Sequence, residues 1–175
     1  MRFRFEALGE EQARSGFCCG ESVLDRYFRE QVGQDIRRRV TNCFVALDEK
    51  VVAGFYTLAS ASIPIKELPE SITKRLPRYP VLPAVRIGRL AVDQRYQGQG
   101  LGSMLLIDAM RRALRAEAAN FTLIVDAKDR RAAAFYEHHG FVALESSPLT
   151  LFLPLATAAK ALGSLPDTDE RGREE

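Results

Sequence analysis

The sequence has no long apolar run, only three cysteines and only two histidines. No apolar run approaches the roughly 20 residues of a membrane-spanning helix, and residues 1–6 lack the apolar core of a signal peptide. An odd number of cysteines, two of them adjacent (Cys18, Cys19, Cys43), fits a reducing compartment better than a disulfide framework. Cys18 and Cys19 have no histidine or cysteine partner at ligand spacing. We therefore expect a cytoplasmic protein with no metal site and no membrane association.

The composition is that of an ordinary globular chain. With 175 residues, 46% of them hydrophobic and 27% charged, the sequence is long enough for one domain with a real core and is neither fibrous nor disordered. We predict one domain over residues 1–163 and a polar, disordered tail over residues 164–175. The tail holds five acids and two arginines, which leaves 23 basic and 18 acidic side chains, a net charge of +5, on the domain.

Hydrophobic periodicity predicts a single α/β layer structure. The spacing from Ser22 to the arginines 37–39 indicates one amphipathic helix, and Ser22 with Asp25 has the pattern of a capping box. Five prolines between residues 63 and 84 predict an irregular excursion with one short helix. Strands are predicted over 2–6, 42–48, 51–62, 85–93, 121–126 and 149–155, and further helices over 70–75, 101–116 and 130–139.

The most informative segment runs from Arg89 to Gly102, where an apolar strand leads through glycines into a helix. Glycines allow several N–H groups to approach a ligand, and a helix N-terminus carries partial positive charge, so this junction suits a pyrophosphate. Two known phosphate motifs do not fit. A Walker A loop needs Gly-Lys-Ser/Thr, and a dinucleotide fingerprint needs Gly-x-Gly-x-x-Gly, whereas Gly98, Gly100 and Gly102 are spaced by two.

The pattern Arg95-x-x-Gly98-x-Gly100 resembles the pyrophosphate loop of the GCN5-related N-acetyltransferases (GNAT proteins). A second segment, from Asp129 through Ala132, Phe135 and Tyr136 to Gly140-Phe141, resembles that family's second signature. It departs at Asp129, where the family often has Asn. The resemblance implies the GNAT fold, α/β with a single mixed, mostly antiparallel sheet flanked by helices, and acetyl-CoA as co-substrate without a metal.

Further segments narrow the resemblance. They are Phe17–Asp25, Val52–Tyr56, Lys74–Pro80 and Gly88–Gly102, and together they resemble the GNAT toxins of bacterial type II toxin–antitoxin modules over about residues 2–155. That resemblance implies an enzyme that acetylates the α-amine of aminoacyl-tRNA and so blocks translation. It also implies a homodimer and a small ribbon-helix-helix antitoxin as partners.

The same resemblance assigns roles to individual residues. Tyr136 would be the general acid, since a phenol with a pKa near 10 can protonate the leaving CoA thiolate at neutral pH. Backbone N–H groups of the strand around Leu90–Val92 would hold the oxyanion and the pantetheine arm. The predicted cofactor-binding residues are Leu90, Ala91, Val92, Arg95, Gln97, Gly98, Gln99, Gly100, Leu101, Gly102, Asp129, Ala132 and Phe135. The predicted tRNA-binding residues are Lys74, Arg75, Arg78, Arg86 and Arg89.

Two other functions remain open from the sequence. A GNAT enzyme of the same fold could acetylate a small amine or a protein amine, but its acceptor pocket should then be acidic or apolar rather than basic. A catalytically silent acyl-CoA-binding module is the third alternative, and an intact Tyr136 argues against it. The basic clusters could also be an ordinary solvated surface, and Arg89 a structural salt-bridge partner.

Overall fold

The computed structural model describes residues 2–163 and contains one seven-stranded mixed sheet flanked by helices, as the resemblance predicts. The strand order is β1-β2-β3-β4-β5-β7-β6, and every neighbouring pair is antiparallel except β4 and β5. The strands are β1 (Phe3–Ala7), β2 (Asn42–Asp48), β3 (Val51–Pro64), β4 (Val81–Val92), β5 (Thr122–Asp126), β6 (Val142–Leu144) and β7 (Ser147–Pro154). The predicted tail, residues 164–175, lies outside the described residues.

The helices follow the predicted order, with one addition at the end. They are α1 (Ser22–Arg26), α2 (Val32–Arg37), α3 (Glu70–Thr73), α4 (Leu101–Arg115), α5 (Arg130–His138) and α6 (Leu155–Gly163). A π-helical stretch, Tyr27–Gln31, joins α1 to α2, so the predicted amphipathic helix forms with a locally widened turn. Within residues 2–163, no helix is long and apolar enough to cross a membrane.

The predicted capping box at Ser22 is wrong. Glu21 is the residue at the N-cap of α1, and its side chain makes no capping hydrogen bond. The Asp25 carboxylate instead accepts a hydrogen bond of 2.7 Å from the N–H of Cys19, so it ties the preceding loop to the helix. Burial alone would raise the pKa of Asp25, but this hydrogen bond and its neighbours outweigh burial and hold the pKa below its usual value.

Strand β4 begins at Val81, four residues earlier than predicted, although it contains Pro83. The Pro83 carbonyl accepts a hydrogen bond from the N–H of Phe121, so the polar groups of Pro83 face β5. The ladder between β4 and β5 starts only at Ala84, opposite Thr122. The missing N–H of the proline therefore falls where no ladder bond is needed, and β4 still pairs with β3 at this point, with Pro83 opposite Ser62.

The sheet has one fully covered face and one divided face. On the covered face, α4, α5 and α6 pack on a large core that includes Leu105, Tyr136 and Leu151. On the other face, α1 to α2 cover one end with an aromatic core around Phe28, and the α3 segment covers the other end around Phe152. Between these two cores Gly88 is exposed although β4 is a central strand, so a strip of this face is uncovered.

Candidate active site

Strands β4 and β5 separate after Ile87, and this leaves a gap in the sheet. Their parallel ladder ends at the pair Ile87 and Val125, while β4 continues to Val92 with partners only on β3. The N–H groups of Arg89 and Asp93 are bonded to β3 residues. Because amide direction alternates along a strand, Ala91 also directs its N–H to β3, and the N–H groups of Leu90 and Val92 point into the gap. Two of the three predicted backbone positions therefore present donors there.

The glycine-rich loop follows directly and leads into α4. Gly98 and Gly100 have φ angles of +72° and +80°, a region that favours glycine, and a Cβ added at either would meet no atom within 4 Å. The helix begins at Leu101, and the first N–H groups of a helix have no intrahelical acceptor. The loop thus presents backbone N–H groups and open space at a positive helix end, which fits the pyrophosphate of an acyl-CoA.

Arg95 is held inside this loop by Asp93. The buried Asp93 carboxylate accepts hydrogen bonds from the Arg95 guanidinium at 2.8 and 2.9 Å, from the Arg95 N–H at 3.0 Å and from the Cys18 N–H at 3.1 Å. Burial alone would raise the pKa of Asp93, but these hydrogen bonds hold it below its usual value. The geometry thus gives Arg95 a part in shaping the loop, and direct contact of its side chain with a cofactor stays a prediction.

Replacing Asp93 by alanine is expected to destabilise the protein by about 2 kcal/mol, because two N–H groups and a guanidinium lose their acceptor. Urea unfolding at pH 7 measures the loss. A carboxylate with a lowered pKa stabilises above its unfolded pKa of about 3.9, so the difference from wild type should shrink below about pH 4. Asp48→Ala is the control, since Asp48 pairs at the surface with Arg2 and should cost under about 1 kcal/mol. Equal losses for both variants would contradict the role of Asp93.

The glutamines of the loop are also engaged by the protein. The Gln97 side chain donates to the carbonyl oxygens of Cys19 and Val92, both at 2.9 Å. The Gln99 side chain donates to the Arg95 carbonyl at 3.2 Å and accepts from Arg2 at 3.0 Å. Their side chains therefore stabilise the turn, and their backbone N–H groups are the groups left to bind a phosphate.

Tyr136 lies on α5 with its ring buried between Phe135 and Phe141, at centroid distances of 5.1 and 5.5 Å. Within residues 2–163, no side-chain polar atom is both fully buried and without a hydrogen-bond partner, and the Tyr136 hydroxyl bonds to no protein group. The hydroxyl is therefore accessible enough to meet a ligand. Burial raises the pKa of Tyr136 to about 12, so the phenol stays protonated at neutral pH and can act as an acid.

Helix α5 is fastened to the first turn of α4. The Phe135 ring lies 3.6 Å from where a side chain at Gly102 would begin. His139 contacts the Phe135 carbonyl through Nδ1 at 2.8 Å, so Nδ1 donates, and its Nε2 accepts from the Ser103 hydroxyl at 2.9 Å. Asp129 caps α5 by accepting from the Ala132 N–H at 2.8 Å. A cofactor contact of Asp129 or Ala132 stays a prediction.

Three of the five predicted tRNA-binding residues are exposed without an ion pair in the described chain, and the other two contact protein side chains. Lys74, Arg75 and Arg78 are exposed at the edge of the α3 segment, and none of them forms an ion pair with any residue in 2–163. Arg86 is engaged by Asp126 on the neighbouring strand, so its charge is already neutralised. Arg89 stacks on Tyr27, with its guanidinium carbon 3.5 Å from the ring centroid, and it has no carboxylate partner in the described chain. The expectation of a salt bridge for Arg89 is wrong.

Sequence reasoning missed two charged contacts near the site. Lys128, which follows β5, pairs with Glu21 at 2.6 Å and so joins the two sides of the gap. Asp108, on α4, accepts from the buried Tyr56 hydroxyl at 2.5 Å and from Arg112 at 2.8 Å. Both join residues far apart in sequence, for which a single chain carries no signal. No group of His, Cys, Asp or Glu within the described chain could hold a metal ion.

Comparison with known proteins agrees with this geometry. The sequence model of the acetyltransferase (GNAT) domain family matches residues 39–143, which is more than half of the chain. The chain belongs to the GNAT acetyltransferase family. This GNAT chain is 36% identical over 151 residues to the tRNA-acetylating toxin of Mycobacterium tuberculosis, an alignment that covers 85% of the chain and 90% of that relative.

Two solved structures resemble this GNAT domain over almost its whole length. One is AtaT complexed with acetyl-methionyl-tRNAfMet, with a TM-score of 0.84, 28% identity and coverage of 91% of this chain and 99% of that one. The other is AtaTR bound with AcCoA, with a TM-score of 0.76, 28% identity and coverage of 92% and 98%. The GNAT fold is thus confirmed, with a cofactor-bound relative of the same architecture.

Proposed function

We propose that the protein transfers an acetyl group from acetyl-CoA to the α-amine of aminoacyl-tRNA and thereby acts as a translation-blocking toxin. The observation that carries the proposal is the gap between β4 and β5, with amides of Leu90 and Val92 on one side and the glycine-rich loop at its end. The similarity to a tRNA-acetylating toxin over 85% of the chain supports the choice of substrate.

The residues of the gap divide the chemistry between them. Acetyl-CoA supplies the activated acetyl group. The N–H groups of Leu90 and Val92 stabilise the negative charge that develops on the thioester oxygen. Such electrostatic stabilisation is commonly the largest contribution to the rate enhancement. The loop from Gly98 to Gly102 holds the pyrophosphate, with Phe135 packed behind Gly102. Tyr136 donates its proton to the leaving sulfur, and the proton that the acetylated nitrogen loses restores the phenol.

An α-amine acceptor does not require a general base. A free α-amino group has a pKa of about 8, so part of it is neutral near pH 7.5 and can attack without help. A lysine ε-amine, with a pKa near 10.4, would be mostly charged.

The exposed cations Lys74, Arg75 and Arg78 are proposed to contact the phosphates of the tRNA. They are exposed on the α3 segment, which covers one end of this face of the sheet, and they lack acidic partners within residues 2–163. The further proposals are a ribbon-helix-helix antitoxin that covers this surface, a homodimer, a cytoplasmic location, and a catalytic domain that ends at residue 163.

The direct test follows radiolabel from acetyl-CoA onto charged tRNA, with deacylated tRNA, free amines and peptides as parallel acceptors. Label on charged tRNA alone is expected, and sorting the labelled tRNAs then identifies the preferred amino acid. Label on free amines or peptides, with none on tRNA, would replace the proposal with acetylation of a small amine or a protein amine.

The pH profile should report the acceptor amine rather than Tyr136. Because burial raises the pKa of Tyr136 to about 12, the acid stays protonated throughout the range in which the amine titrates. We expect kcat/KM for an aminoacyl substrate to rise with pH up to about 8 and then stay level to pH 9.5. A decline with a midpoint between pH 8.5 and 9.5, seen in initial rates corrected for ester hydrolysis, would show that a different acid is used.

A further inference from the structure

Strand β4 contains a bulge at the point where the gap begins. Tyr56 pairs with Leu90 and Leu58 pairs with Ile87, so Gly88 and Arg89 on β4 stand together opposite Thr57 on β3. The Arg89 N–H donates to the Thr57 hydroxyl at 3.0 Å. A bulge of this kind changes which side chains face which side of the sheet, and bulges are frequent beside active sites for that reason.

The bulge directs Arg89 to the uncovered strip. Before it, Val85 and Ile87 face the core under α4, and after it Leu90 and Val92 do. The Arg89 side chain thus lies on the opposite face, against the π-helical stretch that begins at Tyr27.

Arg89 is a cation held in place by an aromatic ring. Its guanidinium carbon is 3.5 Å from the centroid of the buried Tyr27 ring, whose hydroxyl donates to Asp35 at 2.9 Å. Among residues 2–163 the guanidinium has no ion pair and no hydrogen-bond acceptor, although it is partly buried. A planar guanidinium fixed by stacking, with its N–H groups unused, is suited to two-point binding of a phosphate.

Of the two sheet faces formed by residues 2–163, the one with this strip leaves the gap open to an acceptor. On the other face, Leu90 and Val92 pack into the core beneath α4 and α5. The strip is open at Gly88, and the nearby Arg86 is neutralised by Asp126. An acceptor that reaches the amides of Leu90 and Val92 from this side passes Arg89, which is the unpaired cation nearest to them in sequence.

We infer that Arg89, stacked on Tyr27, forms a subsite for the phosphodiester next to the 3′-terminal nucleotide of the charged tRNA. This inference rests on the proposed function and adds the place where the acceptor end is held. The subsite fixes the last phosphate while the aminoacyl ester extends across Gly88 toward the gap. Lys74, Arg75 and Arg78 then contact phosphates farther from the 3′ end.

The first experiment measures binding alone and does not depend on turnover. The probe is the RNA tetranucleotide ACCA, titrated by fluorescence anisotropy in the presence of CoA over a range of salt concentrations. Arg89→Gln should weaken binding by roughly 10- to 100-fold and reduce the slope of log affinity against log salt by about 0.7, as expected for one lost phosphate contact on a single strand. Arg115→Gln, at an exposed site at the far end of α4, should change neither quantity.

Two substitutions of Tyr27 test the contributions of its ring and of its hydroxyl separately. Tyr27→Phe keeps the stacking surface and should bind ACCA as the wild type does. Tyr27→Leu removes the aromatic platform and should approach Arg89→Gln. Because Tyr27→Leu also removes part of a buried core side chain, its melting temperature is compared with that of Tyr27→Phe. Arg89→Gln tests the subsite without changing the core.

The second experiment uses two minimal acceptors, an aminoacyl-adenosine without a phosphodiester and an aminoacylated cytidylyl-adenosine with one. Arg89→Gln should lower kcat/KM for the dinucleotide by 10-fold or more and leave the nucleoside unchanged. Equal losses on both acceptors would overturn the subsite, as would unchanged ACCA binding by Arg89→Gln or no ACCA binding by the wild type. If wild-type protein acetylates neither acceptor, the proposed function fails, and the binding experiment still decides the subsite.

Discussion

Replacing Tyr136 by phenylalanine is expected to lower turnover by about 100-fold or more, the loss typical of a missing general acid. The substitution removes one oxygen that bonds to no protein group within residues 2–163, so packing between Phe135 and Phe141 should persist. Single-turnover rates of acetyl transfer measure the effect, and calorimetric titration should show acetyl-CoA affinity within about twofold of wild type.

A matched control exists in Tyr56, which is buried in the same core. Its hydroxyl donates to Asp108, and burial followed by that hydrogen bond raises its pKa. Tyr56→Phe should lower stability by about 1 kcal/mol and leave turnover nearly unchanged. Wild-type turnover in Tyr136→Phe, or an equal loss in both variants, would show that the acid has been misassigned.

Replacing Gly100 by valine is expected to abolish measurable binding of acetyl-CoA, a loss of at least about 100-fold. Two causes act together. Gly100 has a φ angle of +80°, which a β-branched residue adopts only with strain of about 1–3 kcal/mol, and the new side chain would occupy the open space at the start of α4. Calorimetric titration with acetyl-CoA measures the affinity, and thermal unfolding without ligand measures the strain separately.

Two further variants distinguish crowding from strain. Gly100→Asn tolerates positive φ better than valine, so it should recover stability while its side chain still crowds the phosphate. Gly16→Val is the control, because Gly16 is exposed, has no positive φ and has no atom within 4 Å of an added Cβ. Undiminished affinity in Gly100→Val would remove the loop from the cofactor site.

Much of the fold could be predicted from local patterns, and the misses have physical causes. Alternation along β2 and β3 and the glycines before α4 are signals carried by neighbouring residues. Helix α6 was missed because its alanine-rich sequence gives weak apolar contrast, although Leu155 and Ala158 are buried. The predicted start of β4 is four residues too late, because the prolines before Val85 suggested a loop. Only the pairing with β5 shows that Pro83 needs no ladder bond.

The candidate site likewise contains residues that a short motif predicts and side-chain contacts that it does not. Tyr136 and the glycines of the loop were predicted because their role depends on a short motif. The side-chain partners of Arg95, Arg86 and Arg89 could not be predicted in this way, since each depends on geometry that the motif does not specify. Asp93 lies two residues from Arg95, but Asp126 and Tyr27 come from distant segments.

The bulge at Gly88 and Arg89 affects the course of β4 rather than the alternation of its side chains. Deleting Gly88 would leave Arg89 alone opposite Thr57, and the residues on both sides would keep their partners on β3. Leu90 and Val92 would therefore still face the core under α4, and their amides would still point away from β3. The deletion would remove the bend that an extra residue gives a strand, at the point where the ladder with β5 ends. A shortening by one residue would thus let β4 stay beside β5 and close the gap, while every side chain kept its side of the sheet.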